Sequence, residues 1–141
     1  MTALTADRRT AERAGVMLSA PAAASVKVFA GALVMLDSAG NAKPGAAATG
    51  CYGAGRAEAA VDNSGGTAGA EMVSIREGVF AYASAGGGDA IGRGDIGKAC
   101  YIVDDQTVAL SNGTGTRSLA GQIADVDSLG VWVRFGGLLR S

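Results

Sequence analysis

The sequence predicts an all-β fold, a small glycine-rich barrel or sandwich carrying an extended N-terminal arm. Three observations lead there. Short runs rich in Val, Ile, Leu and aromatic residues recur between clusters of Gly, Ser, Asn and Asp. No long segment carries the 3.6-residue period of an amphipathic helix. Glycine accounts for 23 of 141 residues, whereas one tryptophan, three tyrosines and three phenylalanines supply the large rings. Such a chain has a thin core, and a thin core favours oligomerisation or docking as a further source of stability. The length fits one compact domain, assigned to residues 15–141 around a single core, behind an arm of residues 1–14.

Each element follows from local chemistry. Residues 1–14 are compatible with helix in composition but offer little apolar surface, so they read as an extended or partly disordered arm. After Pro21, Val26 to Leu36 reads as strand, interrupted at Gly31, and runs into the turn signal Asp37-Ser38-Ala39-Gly40-Asn41 before the chain returns. Gly50 to Val61 carries Cys51, Tyr52 and Val61 among Gly and Ala, then meets the turn run Asp62 to Thr67. From Glu71, Met72, Ser74 and Arg76 alternate with Val73, Ile75 and Glu77, and Val79 to Tyr82 continue the pattern beyond a bulge or kink at Gly78. A loop from Gly86 to Lys98, with a single helical turn near Asp89 to Ile91, precedes strand character at Cys100 to Val103. The chain turns at Asp104-Asp105 and continues through Thr107 to Leu110. Ser111 to Arg117 is a further loop. Leu119 to Val126, a tight turn at Asp127 to Gly130, and Val131 to Phe135 form the closing hairpin.

Charge excludes several functions. A net charge of −1 and a pI near 5.3 give no general attraction to nucleic acid or an anionic membrane. The longest apolar stretches, such as Ala30 to Leu36, fall well short of the ~20 residues a membrane helix needs. The first 13 residues carry Arg8, Arg9 and Arg13 and lack the apolar centre of a signal peptide. The expectation is a soluble chain made in the cytoplasm. Cys51 and Cys100 are too few for a disulfide framework and too far apart for a CxxC motif; two buried thiols are expected, a bridge being the alternative.

Chemistry is limited in the same way. The chain contains no histidine, which removes Ser-His-Asp and Cys-His nucleophile systems and the usual histidine-containing zinc sites. Gly92 to Lys98 matches the GxxxxGK core of a phosphate-binding loop, but Ala99 stands where Ser or Thr would hold Mg²⁺, and a strand follows where a helix should open. Arg93-Gly94-Asp95, within the same loop, reads as a chance match to an adhesion tripeptide. Asp104, Asp105, Asp125 and Asp127 sit in two turn regions, where aspartate is an ordinary turn former. The expectation is a protein-binding chain with no catalytic residues, no cofactor and no metal. Trp132 with Arg134, on the strand face opposite Val131, Val133 and Phe135, is a candidate interface pair.

The segments Phe29 to Asn41, Gly50 to Ala57 and Glu71 to Tyr82 contain, in order, a G-x-L-V-x-L-D strand and turn, a G-x-G-x-A strand and a V-x-I-x-x-G-V-F strand. Asp89-Ala90-Ile91, Asp95 to Lys98, Tyr101 to Asp105 and Gly130 to Val133 follow. In this order the phrases resemble the head-decoration, or capsid cement, proteins of tailed bacteriophages, lambda-like, over most of the chain beyond residue 14. The resemblance implies a β-tulip-like, commonly trimeric protein on the outer surface of the virion capsid, clamping neighbouring subunits of the major capsid protein. Its arm would order on the shell; Leu4, Arg8, Arg9 and Arg13 are the residues of this arm singled out as candidate capsid contacts. The alternative is another virion surface module, a tail or adhesin β-domain, binding a host receptor or glycan through the Gly92 to Lys98 loop.

Overall fold

The computed structural model describes residues 5, 6, 9 and 16–136. Within them the chain is built from strands, as expected, with two single 3-10 turns. The strands are β1 (Met17–Pro21), β2 (Val26–Val28), β3 (Leu33–Leu36), β4 (Ala42–Pro44), β5 (Tyr52–Ala57), β6 (Val61–Asn63), β7 (Met72–Arg76), β8 (Val79–Ser84), β9 (Ala99–Ile102), β10 (Thr107–Ala109), β11 (Leu119–Asp127) and β12 (Gly130–Arg134).

Five strands close on themselves. β11 pairs with β12, β12 with β8, β8 with β10 in parallel, β10 with β9, and β9 again with β11, so this ring has no free edge. Its interior holds Tyr82, Cys100, Ile102, Val108, Ile123, Val131, Val133 and Phe135. A second set, β4-β3-β5-β7-β1, continues from β5 and is drawn round by one parallel bridge between Ala22 and Ala42. Its interior is smaller-grained: Ala20, Ala22, Val28, Val34, Ala42, Ala54, Val73 and Ile75.

The single core expected from the sequence is therefore two clusters, and β3 divides them. All four of its residues are buried. Leu33 and Met35 belong to the first cluster, Val34 and Leu36 to the second. Successive side chains of a strand point to opposite faces, so a strand with a core on both sides is apolar throughout. β5 joins the halves: one edge pairs with β3, while the other pairs with β11 at Tyr52 and with β7 at Arg56 and Ala57. The small residues of its Gly53-Ala54-Gly55 stretch make this possible. A Cβ at Gly53 would overlap the carbonyl oxygen of Ala120 in β11, and one at Gly55 would overlap that of Arg76.

Turns follow the local rules closely. The Asp37 carboxylate accepts from the N–H groups of Ala39 and Asn41, at 2.9 and 3.0 Å, and so shapes the β3–β4 turn. Asn63, 3% exposed, donates its side-chain amide to the carbonyls of Ala23 and Thr67 and ties the β2–β6 ribbon to the next loop. Val73 and Ile75 are buried and Met72 and Ser74 exposed, as the period-2 pattern requires. Three elements differ from the sequence reading. β6 takes in Asp62 and Asn63, which the sequence placed in a turn, and pairs them with β2. The helical turn expected near Asp89 to Ile91 lies at Gly87–Asp89, with a second at Arg93–Asp95. β1 was not anticipated.

Candidate docking surface

β1 is the strand at the end of the sheet order and, among the described residues, is bonded along its length to β7 alone. Its register pairs Met17 with Arg76, Ser19 with Ser74 and Pro21 with Met72. Residues directly opposite in an antiparallel pair share a face, and this face is the outer one, because Ala20, Val73 and Ile75 fill the core on the other. Met72 (52% exposed) and Met17 are exposed on it, at opposite ends of the ladder with the Ser19–Ser74 pair between them; Val16, just before the strand, is exposed as well. Polar groups border this face. Glu58 lies between Arg56 (2.8 Å) and Arg76 (3.3 Å), and the hydrogen bond from Arg56 is the main reason its carboxyl titrates below the usual range. The Arg56 guanidinium also stacks 4.3 Å from the centre of the Phe80 ring. A strand edge left uncovered by the described residues, with apolar side chains exposed at both ends of its outer face, is suited to pairing with another chain. Ser19 and Pro21 temper it, since proline offers no N–H to a new partner.

A second surface feature lies on the β2–β3 connection. Phe29 is 59% exposed and borders an open cleft of about 420 Å³, whose other walls are Ala30, Gly31, Ala32, Asp105 and Gln106. The Tyr82 hydroxyl donates to the Gly31 carbonyl at 3.1 Å and fixes the cleft floor. Burial pushes the Tyr82 phenol well above its ordinary pKa; Arg56 opposes the rise and the Asp105 charge adds to it.

The loop that matches a phosphate-binding motif is engaged internally. Arg93 donates to the Asp125 carboxylate (3.1 Å) and to the Val126 carbonyl. Asp95 accepts from the Gly92 N–H at 2.9 Å and from Lys98 at 3.1 Å; the first of these chiefly lowers its pKa. The Arg93–Asp95 turn is a 3-10 turn, and Lys98 runs directly into β9, so no helix N-terminus faces a phosphate. Of the four turn aspartates, Asp104 caps the Gln106 N–H, Asp125 pairs with Arg93, and Asp127 accepts from the Leu129 N–H. Among the described residues no three His, Cys, Asp or Glu side chains gather as a metal site. No helix among them is long and apolar enough to cross a membrane.

The candidate interface pair separates in character. Val131 and Val133 are buried, so Trp132 and Arg134 do share the outer face of β12. Arg134 is exposed and donates to Gln122 at 2.9 Å. Trp132 is half-buried, and its indole nitrogen is enclosed and, among the described residues, without a partner in good hydrogen-bond geometry. The nearby Asp127 carboxyl nonetheless titrates low, first because of this indole N–H. Of the arm residues singled out, Arg9 is exposed; Leu4, Arg8 and Arg13 lie outside the described residues. Sequence reasoning did not place Val16, Met17, Phe29 or Met72 on the surface: Phe29 and Met72 sit in strand-like runs, where an apolar side chain reads as core, and Val16 and Met17 lie in a segment not read as a strand.

Both cysteines are free. Cys51 is half-buried, while Cys100 is fully buried, its thiol directed at the Gly121 carbonyl (3.6 Å) and pushed up to about 12 by burial. A maleimide at neutral pH is therefore expected to modify Cys51 in the native protein and Cys100 only after denaturation. Intact-mass measurement distinguishes one adduct from two; two native adducts at equal rates would contradict the burial of Cys100.

No family model matches the chain, and no curated protein or solved structure matches it.

Proposed function

We propose that this protein is a structural virion protein that decorates the outside of a tailed-phage capsid and stabilises it by clamping neighbouring major-capsid subunits. The observation that carries this reading is the edge of β1 that no other strand of the described residues covers, with Met17 and Met72 exposed on its outer face, following the arginine-bearing arm in the sequence. An arm that becomes ordered on a partner loses conformational entropy, and backbone pairing at a strand edge with a few apolar anchors is a chemistry that offsets this loss. The ordered series of sequence phrases supports the same reading, since the G-x-L-V-x-L-D, G-x-G-x-A and V-x-I-x-x-G-V-F segments form β3, β5 and β7–β8. Assembly as a homo-oligomer, a trimer by preference, would multiply weak contacts by symmetry.

Deleting residues 1–14 is expected to abolish co-sedimentation with expanded capsids while the body keeps its β-rich circular dichroism and cooperative unfolding. Undiminished capsid binding by the truncated chain would overturn the arm's role, and absence of binding by the full chain would overturn the function itself.

A further inference from the structure

We infer that the cleft between Phe29 and Asp105 receives an arginine side chain presented by the protein surface on which this chain docks. The inference rests on the reading of the chain as a protein-binding module and specifies the chemistry its partner must offer.

Two independent features of the cleft select a cation. One wall is an aromatic ring, 59% exposed, whose face already attracts a cation within the chain, since the Lys27 ammonium stands 5.3 Å from its centre. The opposite chemistry comes from Asp105. Its backbone carbonyl is used by the Leu33 N–H at 2.8 Å, which fixes the residue against β3. Asp105 as a residue is half-buried, and among the described residues its carboxylate makes no hydrogen bond and no ion pair. The other turn aspartates of the chain differ: Asp104, Asp125 and Asp127 each serve a backbone N–H or a guanidinium. A carboxylate without a counter-charge among the described residues, in the same cleft as an exposed ring, is an incomplete arrangement that a cation completes.

Shape narrows the class. The remaining walls are Ala30, Gly31, Ala32 and Gln106, so the floor is low and apolar enough to lie along the aliphatic stem of a long side chain. A guanidinium is planar, stacks on a ring and forks to a carboxylate at once, which a compact, strongly hydrated ammonium does less well. The cleft is open, and an open cleft encloses too little of a free metabolite to hold it. It suits one side chain held in place by a larger interface, where a ring and an arginine form a familiar central contact.

The test uses the full chain, labelled with ¹⁵N, titrated with N-acetylarginine N-methylamide and, separately, with the uncharged citrulline analogue. Arginine amide is expected to cause saturable shifts at the amides of Ala30, Gly31, Ala32 and Gln106, and the citrulline analogue none. Asp105→Asn and Phe29→Ala should each weaken binding by about fivefold. Lys27→Met should strengthen it by about twofold, because it removes a like charge from the ring. Spectra unchanged away from the cleft verify the fold of each variant. Equal shifts from citrulline, or Asp105→Asn binding as tightly as the native chain, would overturn the inference. Capsid co-sedimentation of the Asp105→Asn chain is a separate readout. Weakened capsid binding is expected, so failure of the cleft and failure of the capsid reading are distinguishable.

Discussion

Gly53→Ala is expected to destabilise the protein by about 3 kcal/mol or more, the upper end of what overpacking costs. The added methyl would meet the backbone of Ala120, not a side chain that can rotate away: the carbonyl oxygen overlaps outright, and the carbonyl carbon and Cα lie 2.9 Å away. Gly53 does not have a positive φ, so the penalty is purely one of space, and alanine brings no compensating strain relief. Relaxation would have to move β5 away from β11, breaking the one ladder pair between these two strands, Leu119 with Tyr52. Gly88→Ala is the matched control. Nothing lies within 4 Å of a Cβ there and its backbone is not left-handed, so the same change should be neutral or stabilise by up to about 1 kcal/mol through the unfolded chain. Urea denaturation of the pair checks both. A Gly53→Ala midpoint within error of the native one would mean that β5 and β11 do not approach as closely as described.

This crossing also explains what could be read in the sequence and what could not. The β3–β4 turn, the alternation of β7 and the β11–β12 hairpin were legible, because each is written locally: an aspartate capping two N–H groups, period-2 burial at Val73 and Ile75, and a tight turn between two runs of strand formers. β1 was not legible. Met17-Leu18-Ser19-Ala20-Pro21 has weak strand formers and a terminal proline, and it becomes a strand through five ladder pairs with β7, more than fifty residues away. The G-x-G-x-A stretch of β5 was read as a strand, but only the close passage of β11 and β7 shows why side chains are excluded at its glycines. The surface followed the same logic. That Trp132 and Arg134 share a face was readable from alternation, but that Phe29 faces solvent and Asp105 lines the same cleft depends on two loops 76 residues apart meeting across β3. Hydrophobicity alone assigns Phe29 and Met72 to a core; exposure is a property of the topology.

Val34→Ala is expected to weaken both halves of the molecule together, although Val34 packs only in the second cluster. Val34 is fully buried, and loss of its two methyl groups should cost about 2 kcal/mol through lost contacts and a residual cavity. If the halves were independent, that loss would appear only around Val73 and Ile75. Yet Val34 lies between Leu33 and Met35, which are fully buried in the first cluster, and β3 cannot leave one core without withdrawing from the other. β5 binds the halves a second time through its pairs to β3, β7 and β11. Unfolding should then be a single transition, with Trp132 fluorescence and the hydrogen exchange of the Val73, Ile75, Val131 and Val133 amides all reporting the same loss of stability. Leu33→Ala, made from the opposite face of the strand, should shift the same transition by about 2–5 kcal/mol. Loss of protection at Val73 and Ile75 alone, with the Trp132 transition unmoved, would show instead that the two clusters are separate folding units held side by side. For a protein proposed to brace a shell the difference matters, because a clamp transmits load between its contacts only if the body between them yields as one piece.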